Sequence, residues 1–362
     1  MNRHGITTTR TTTHSASHSA SHSASSHDLT AVGQPARHAA WGLSGQVFLL
    51  LGLLGNPQTI VAQTWPDRAI RMIVPFTPGG GTDTLTRQLV EKMAQETRWS
   101  FVVENKPGAG GNIGMDAVAK AKNDGYTLGM GQTSNIAINP AAMAKMPFDP
   151  NRDLVPVILV AEVPMILVVR TDSPWQSLAD LLKAAKAKPE EIKQALAGTG
   201  TVGHLAGELL AKRAGIRLTN VPYKGAAPAL TDLIGGQTDC MFATPPSVMS
   251  LLQAGKLRAL AVTSSKRLSS LPTVQTIAEQ GYPKFEAVDW KVIMAPAGTP
   301  VDVIARINAA AQRALAMPAM STRLAEEGST PLGGSATDAA RYLRDEQAEW
   351  ASLIREAGIK FD

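Results

Sequence analysis

The sequence predicts an α/β fold built on largely parallel sheets. Short apolar runs of strand character alternate with stretches of helical period from Arg71 to Thr263, and Gly-rich loops follow several of the runs, where such sheets bind ligands. The chain is also long enough for two cores. Removing a leader of 62 from its 362 residues leaves 300, a length that usually divides into two domains.

Residues 1–62 stand apart from that pattern. Residues 6–27 are almost entirely Thr, Ser, His and Ala and offer nothing to bury. Basic Arg37 and His38, the apolar stretch Trp41 to Leu54, Pro57 and a small-residue site ending at Ala62 have the layout of a secretory signal cleaved after Ala62. The apolar stretch is too short to span a membrane securely. The 36 residues before the basic flank are unusual for a signal, and Val32 is an alternative translation start. Export carries the mature chain to an oxidising compartment.

Cleavage changes the charge. The leader carries Arg3, Arg10, Arg37 and Asp28, so the mature net charge is +5 minus +2, or +3. Such mild charge, without a basic run, gives no reason to expect nucleic acid. Six of the seven histidines leave with the leader, and His204 alone cannot build a histidine metal site. Cys240 is the single cysteine, so no intrachain disulfide forms.

The first apolar run, Arg71 to Phe76, opens into Thr77, Pro78, Gly79, Gly80 and Gly81 and then a helix with Leu85, Leu89 and Met93 at i, i+4 and i+8. Thr82 is expected to cap it and Asp83 to sit in its first turn. Glycines let a ligand lie against the backbone, and the free N–H groups of a helix start attract anions. No Lys follows, which excludes a P-loop; a turn that binds nothing stays open. Phe101 to Glu104 leads to a second Gly-rich segment, Glu104 to Gly114, which either lines the same crevice or is a plain turn. Tyr126 to Met130 ends near Thr133, Ser134 and Asn135, ligand donors or helix caps.

The long apolar stretch Val155 to Val169 contains two further strands, Val155 to Ala161 and Met165 to Val169. After Ala195 to Ala197 comes a GxGxxG at Gly198, Gly200 and Gly203. Dinucleotide binding needs an acid about twenty residues on, and Arg217 to Gly225 contains none. The loop reads better as a second anion cradle, with Thr199, Gly200 and Thr201 facing a ligand at the start of the helix that begins near His204. His204 is read as a pocket-wall or loop-locking residue, because the chain has no GxSxG elbow and no nucleophile for it to serve. The strand Asn220 to Tyr223 turns at Lys224, which either reaches an anion or holds a loop. Cys240 to Ala243 and Leu257 to Thr263 complete the strands. Beyond Pro300 the chain is mostly helical, at Val301 to Met317 and Thr337 to Ala357, with a stop at Gly358.

Taken together these segments resemble the extracytoplasmic solute receptors of tripartite tricarboxylate transporters, the Bug receptors. The resemblance runs from about Trp65 to Asp362 and rests on IVPFTPGGGTD (Ile73 to Asp83), VVENKPGAGGNIG (Val102 to Gly114), DGYTL (Asp124 to Leu128), AINP (Ala137 to Pro140), PFDP (Pro147 to Pro150), GHLAGELL (Gly203 to Leu210), VPYKGAAPALTDLIGGQ (Val221 to Gln237), GKLRALAVTS (Gly255 to Ser264) and APAGTP (Ala295 to Pro300). It implies a type 2 periplasmic binding protein fold, with two α/β domains joined by two crossing segments and a ligand in the cleft. The domains would be 63–164 with 289–362, and 165–288, and the crossings would fall near Glu162 to Pro164 and Glu286 to Trp290. The implied function is capture of a small organic carboxylate by a monomeric, non-enzymatic receptor without cofactor, for delivery to the membrane permease subunits. Carried over by position, Phe76, Pro78, Gly79, Gly80, Thr82, Asp83, Thr133 and Ser134 would face Thr199, Gly200, Thr201, His204, Lys224 and Ala243.

Three departures bear on the ligand. Ala243 and Thr244 stand where the family usually carries an acid, which leaves an ammonium group without that partner and favours plain carboxylates over amino acids. Lys291 and Val292 replace an aromatic and a Gly after Trp290. Lys291 would add charge for a second carboxylate if it faced the crevice, and is otherwise expected at the surface. Leu196 replaces a small hydroxyl residue. The alternatives are a receptor that reports to a signalling partner and an exported α/β hydrolase, which lacks a visible nucleophile.

Overall fold

The computed structural model describes residues 65–326, 328–358 and 360, so the leader and the cleavage expected after Ala62 lie outside the described residues. In chain order the strands are β1 (Ile70–Val74), β2 (Phe101–Asn105), β3 (Thr127–Gln132), β4 (Leu154–Pro164), β5 (Ile166–Arg170), β6 (Lys193–Leu196), β7 (Thr219–Pro222), β8 (Cys240–Ala243), β9 (Leu257–Val262), β10 (Val288–Pro296) and β11 (Thr330–Gly333). The helices are α1 (Gly81–Thr97), α2 (Asn112–Ala119), α3 (Asn139–Ala142), α4 (Leu178–Ala187), α5 (Val202–Ala214), α6 (Ala226–Ile234), α7 (Pro245–Gln253), α8 (Val301–Ala316), α9 (Pro318–Glu326) and α10 (Ala336–Ala357).

Two sheets result, one ordered β11-β4-β10-β3-β1-β2 and the other β7-β6-β8-β5-β9. Both are mixed, where the sequence suggested largely parallel sheets. The trios β3-β1-β2 and β7-β6-β8 are parallel, but β10 runs antiparallel to β3 and β4, and β5 antiparallel to β8 and β9. The reason is topological: β5 and β10 each enter their sheet from the other one, against the direction of the strands that the βα units lay down.

The chain passes between the sheets twice. Met165 alone separates β4 from β5, and β10 begins at Val288. The passages run side by side, with Val288 paired to Pro164, Asp289 to Val163 and Trp290 to Glu162. Thr263, fully buried after β9, fastens them together. Its hydroxyl accepts from Met165 N–H at 2.8 Å and donates to the Ala287 carbonyl at 2.5 Å, and its own N–H donates to the Met165 carbonyl.

Alternation along the strands builds the cores. In β5, Ile166 and Val168 pack with Ala229, Leu233 and Val248 of α6 and α7, while Leu167 and Val169 face Leu178, Leu181 and Leu205 of α4 and α5. A strand buried on both faces reads as a continuous apolar run. In the first sheet Ile70 and Met72 pack against Leu85, Leu89 and Met93 of α1 and Ile307 of α8. Burying each such side chain is worth roughly 1.5–3 kcal/mol, which explains why the i, i+4, i+8 spacing of α1 fixes its orientation.

Candidate ligand site between the two sheets

The loop after β1 delivers the start of α1 to the gap between the sheets. Gly79 takes φ +76°, a left-handed value that suits glycine, and the helix begins at Gly81 with Gly80 as its N-cap. No side chain caps it, contrary to the role expected for Thr82. The Thr82 hydroxyl is drawn instead to Gln132 at the end of β3, donating to Oε1 over 2.7 Å. Asp83 does sit in the first turn, but it faces its own loop. Its carboxylate accepts from Gly79 N–H, Arg87 Nε and Asn105 Nδ2 at 2.9–3.0 Å. Burial pushes its pKa up, and these donors together hold it below the ordinary carboxylate value.

A cavity of about 40 Å³ lies between the sheets. Phe76, Gly80, Gly81, Thr82, Gln132 and Asp289 form the wall on the side of the first sheet, and Met165, the residue between the sheets, also lines it. The opposite wall includes Ala197, Thr201, Val202, Phe242, Ala243 and Thr244. A second cavity of about 220 Å³ adjoins Phe76 and places the Glu104 to Gly114 segment, through Gly108 to Gly111, opposite Gly198, Thr199 and Lys224. There the two Gly-rich loops meet closely: a Cβ at Gly110 would come within 2.5 Å of the Thr199 carbonyl.

The sequence-derived candidates therefore divide. Phe76, Gly80, Thr82, Thr201 and Ala243 share the inner cavity; Thr199 and Lys224 line the outer one. Pro78 and Gly79 are exposed at the tip of their loop. Thr133 and Ser134 are buried and serve their neighbours: Thr133 Oγ1 accepts from Trp290 N–H at 2.9 Å and Ser134 Oγ from Gln132 Nε2 at 3.1 Å. His204 Nδ1 accepts from Gly200 N–H at 3.2 Å, and its Nε2 lies 3.3 Å from Asn220 Nδ2, so the ring holds the second glycine loop. Burial lowers its pKa, against the opposing pull of Glu208.

Lys291 corrects an expectation. It is 1% exposed, not a surface residue. Register pairs it with Gln132 across β3 and β10, and its ammonium donates to Gln132 Oε1 at 2.9 Å and to Asp289 Oδ2. Burial pulls its pKa below the ordinary lysine value, with Asp289 opposing. Asp289 and Lys291 are two apart in a strand and so lie on one face, whereas Trp290 points the other way, to Glu346 of α10 at 2.6 Å. Sequence reasoning passed over Gln132 and Asp289 as site residues. The signal that points to Asp289 is a pair of opposite charges, with Lys291, two apart in the otherwise apolar run from Val288 to Pro296; Gln132 is brought in only by sheet register.

Comparison with known proteins gives a consistent result. A family model described as "Tripartite tricarboxylate transporter family receptor" matches residues 85–359. Protein BugT of Bordetella pertussis is 38% identical over 313 residues, 86% of this chain and 96% of its own. Among solved structures, the periplasmic binding protein BugD has 35% identity and a TM-score of 0.79, covering 82% of this chain and 99% of BugD. Rpa4515 of R. palustris, solved with adipate, has 38% identity and a TM-score of 0.79, covering 82% of this chain and 99% of its own.

Proposed function

Because the chain belongs to the tripartite tricarboxylate transporter receptor family, periplasmic solute-binding proteins and not enzymes, we propose that it captures a small organic carboxylate between its two sheets and hands it to the membrane subunits of such a transporter. The observation that carries this reading is the inner cavity, whose walls come from both sheets and which Gly80, Gly81 and Thr82 enter from the start of α1. A helix start favours negative charge, and neutral N–H donors hold a carboxylate without a fixed opposite charge. A relative of 38% identity solved with adipate supports the ligand class.

The cavity of about 40 Å³ is far smaller than the roughly 300–1,000 Å³ of small-molecule sites, so a ligand enters by parting the walls. Residues 65–164 with 289–360 then move as one body and 165–288 as the other, bending at Met165 and Val288. Ligand contacts on both walls favour the closed form by their differential affinity for it. Lys224, on the outer cavity, supplies positive charge along the approach. The receptor acts as a monomer, and the closed form is the one the permease engages.

A thermal-shift screen of the mature chain against mono-, di- and tricarboxylates and aromatic acids tests this. A bound acid raises the melting point in proportion to the logarithm of its concentration above Kd. No shift with any acid overturns the carboxylate reading.

A further inference from the structure

The Asp289 carboxylate is half satisfied. Oδ2 is held by Lys291, but Oδ1 has no hydrogen-bond partner, although the residue is 3% exposed and lines the inner cavity. The threonines that share the cavity do not serve it: Thr82 donates to Gln132, Thr201 donates to the Gly198 carbonyl at 2.8 Å, and Thr244 pairs with Ser247 at 2.7 Å. A buried carboxylate oxygen without a donor is costly, and a group that brings a proton to it recovers that cost.

We propose that Asp289 is a specificity-determining residue that accepts a hydrogen bond from the ligand, so that the receptor takes carboxylates bearing a hydroxyl or ammonium donor in preference to unsubstituted acids of the same length. The proposal rests on the carboxylate reading above and narrows it. Asp289 and Lys291 together add no net charge to the cavity, so the ligand's carboxylate belongs at the N-terminus of α1, where the Gly81 N–H is held by Ser247 Oγ of the opposite wall and is freed when the walls part. At Oδ1 a second ionised carboxylate would set two anionic oxygens together with no proton between them. An O–H or N–H fits there. The acid that Ala243 and Thr244 fail to supply thus reaches the same cavity from β10, which reverses the preference for plain acids drawn from those two positions.

The test is calorimetry of the mature chain with matched acids: succinate, malate and aspartate; glutarate, 2-hydroxyglutarate and glutamate; adipate and 2-aminoadipate; benzoate and 4-hydroxybenzoate. In the length class that binds, a donor-bearing acid is expected to bind about tenfold or more tighter than its unsubstituted partner, the scale of a hydrogen bond to a charged group. In Asp289→Asn, Lys291 keeps the amide oxygen and turns Nδ2 toward the cavity, so the preference falls to about twofold or inverts. The double variant Asp289→Leu with Lys291→Met removes both charges at once, a replacement that buried pairs often tolerate, and it too should lose the preference. Unsubstituted acids binding as tightly as their partners in the wild type overturn the proposal. So does a preference that persists in folded variants. If no acid of any series binds, the carboxylate reading fails and takes this proposal with it.

Discussion

Gly81 and Ser247 meet across the two sheets: the Gly81 N–H donates to Ser247 Oγ over 3.0 Å and joins the first turn of α1 to the first turn of α7. One of the backbone donors that an anion would use is therefore held by a hydroxyl of the opposite wall. Contact is close at this glycine. A Cβ on Gly81 would stand 2.2 Å from Thr244 Oγ1 and 2.8 Å from Ser247 Oγ, whereas one on Gly80 would find nothing nearer than 3.5 Å.

Gly81→Val is accordingly expected to hold the walls apart while leaving each core intact. Calorimetry should show at least a tenfold loss of affinity for the identified ligand, and small-angle scattering a larger radius of gyration. The stability to urea should change by about 1 kcal/mol or less, as for substitutions outside a core. Unchanged affinity would remove this contact from the closed form.

Thr263→Val keeps the shape of the side chain and deletes its hydroxyl. Met165 N–H and the Ala287 carbonyl each lose a buried partner, at a cost of about 1–3 kcal/mol for each group left unsatisfied. Equilibrium urea unfolding should show that loss as a lower midpoint, and an unaltered midpoint would mean that the passages hold together without Thr263.

His204 gives stability a pH dependence. Burial sets its folded pKa below the ordinary value of 6.5, so between the two values the unfolded chain binds a proton that the folded one does not. The stabilisation is complete above about pH 6.5 and declines as pH falls through the folded pKa. Urea midpoints measured from about pH 8 down to pH 5 should fall in the wild type, and His204→Gln should flatten that window. An identical slope in the variant would assign the titration to another group.

Cys240 is fully buried, and burial, aided by Asp239, pushes its thiol up to about 12. Since the thiolate is the reactive form, a disulfide reagent at mildly alkaline pH should leave the native protein unlabelled and modify one thiol per chain in guanidinium. Rapid labelling of the native protein would contradict that burial.

The parts legible in the sequence were those that depend on local order. The glycines after β1 and the spacing of Leu85, Leu89 and Met93 are properties of one segment, and they place α1 and its buried face correctly. Two strands were legible between Val155 and Val169 because an apolar stretch that long exceeds one strand. What was not legible depends on neighbours distant in the chain. Thr82 looks like a cap until Gln132, fifty residues on, claims its hydroxyl. Lys291 looks like a surface residue until β10 inserts beside β3 and supplies Gln132 opposite it and Asp289 on the same face. A long charged side chain reads as exposed unless its partner is visible, and here the partner is set by sheet register.

The pairing of β4 with β10 through Val288 and Pro164 makes the link between the sheets a two-ply ribbon, pinned at one edge by Thr263. Such a ribbon resists stretching and sliding, because either would break ladder hydrogen bonds, and yields to flexing, which breaks none. The position of one sheet relative to the other thus reduces to a single angle. Met165 belongs both to that ribbon and to the cavity wall, so under the proposed function filling the cavity and setting the angle would be one mechanical event.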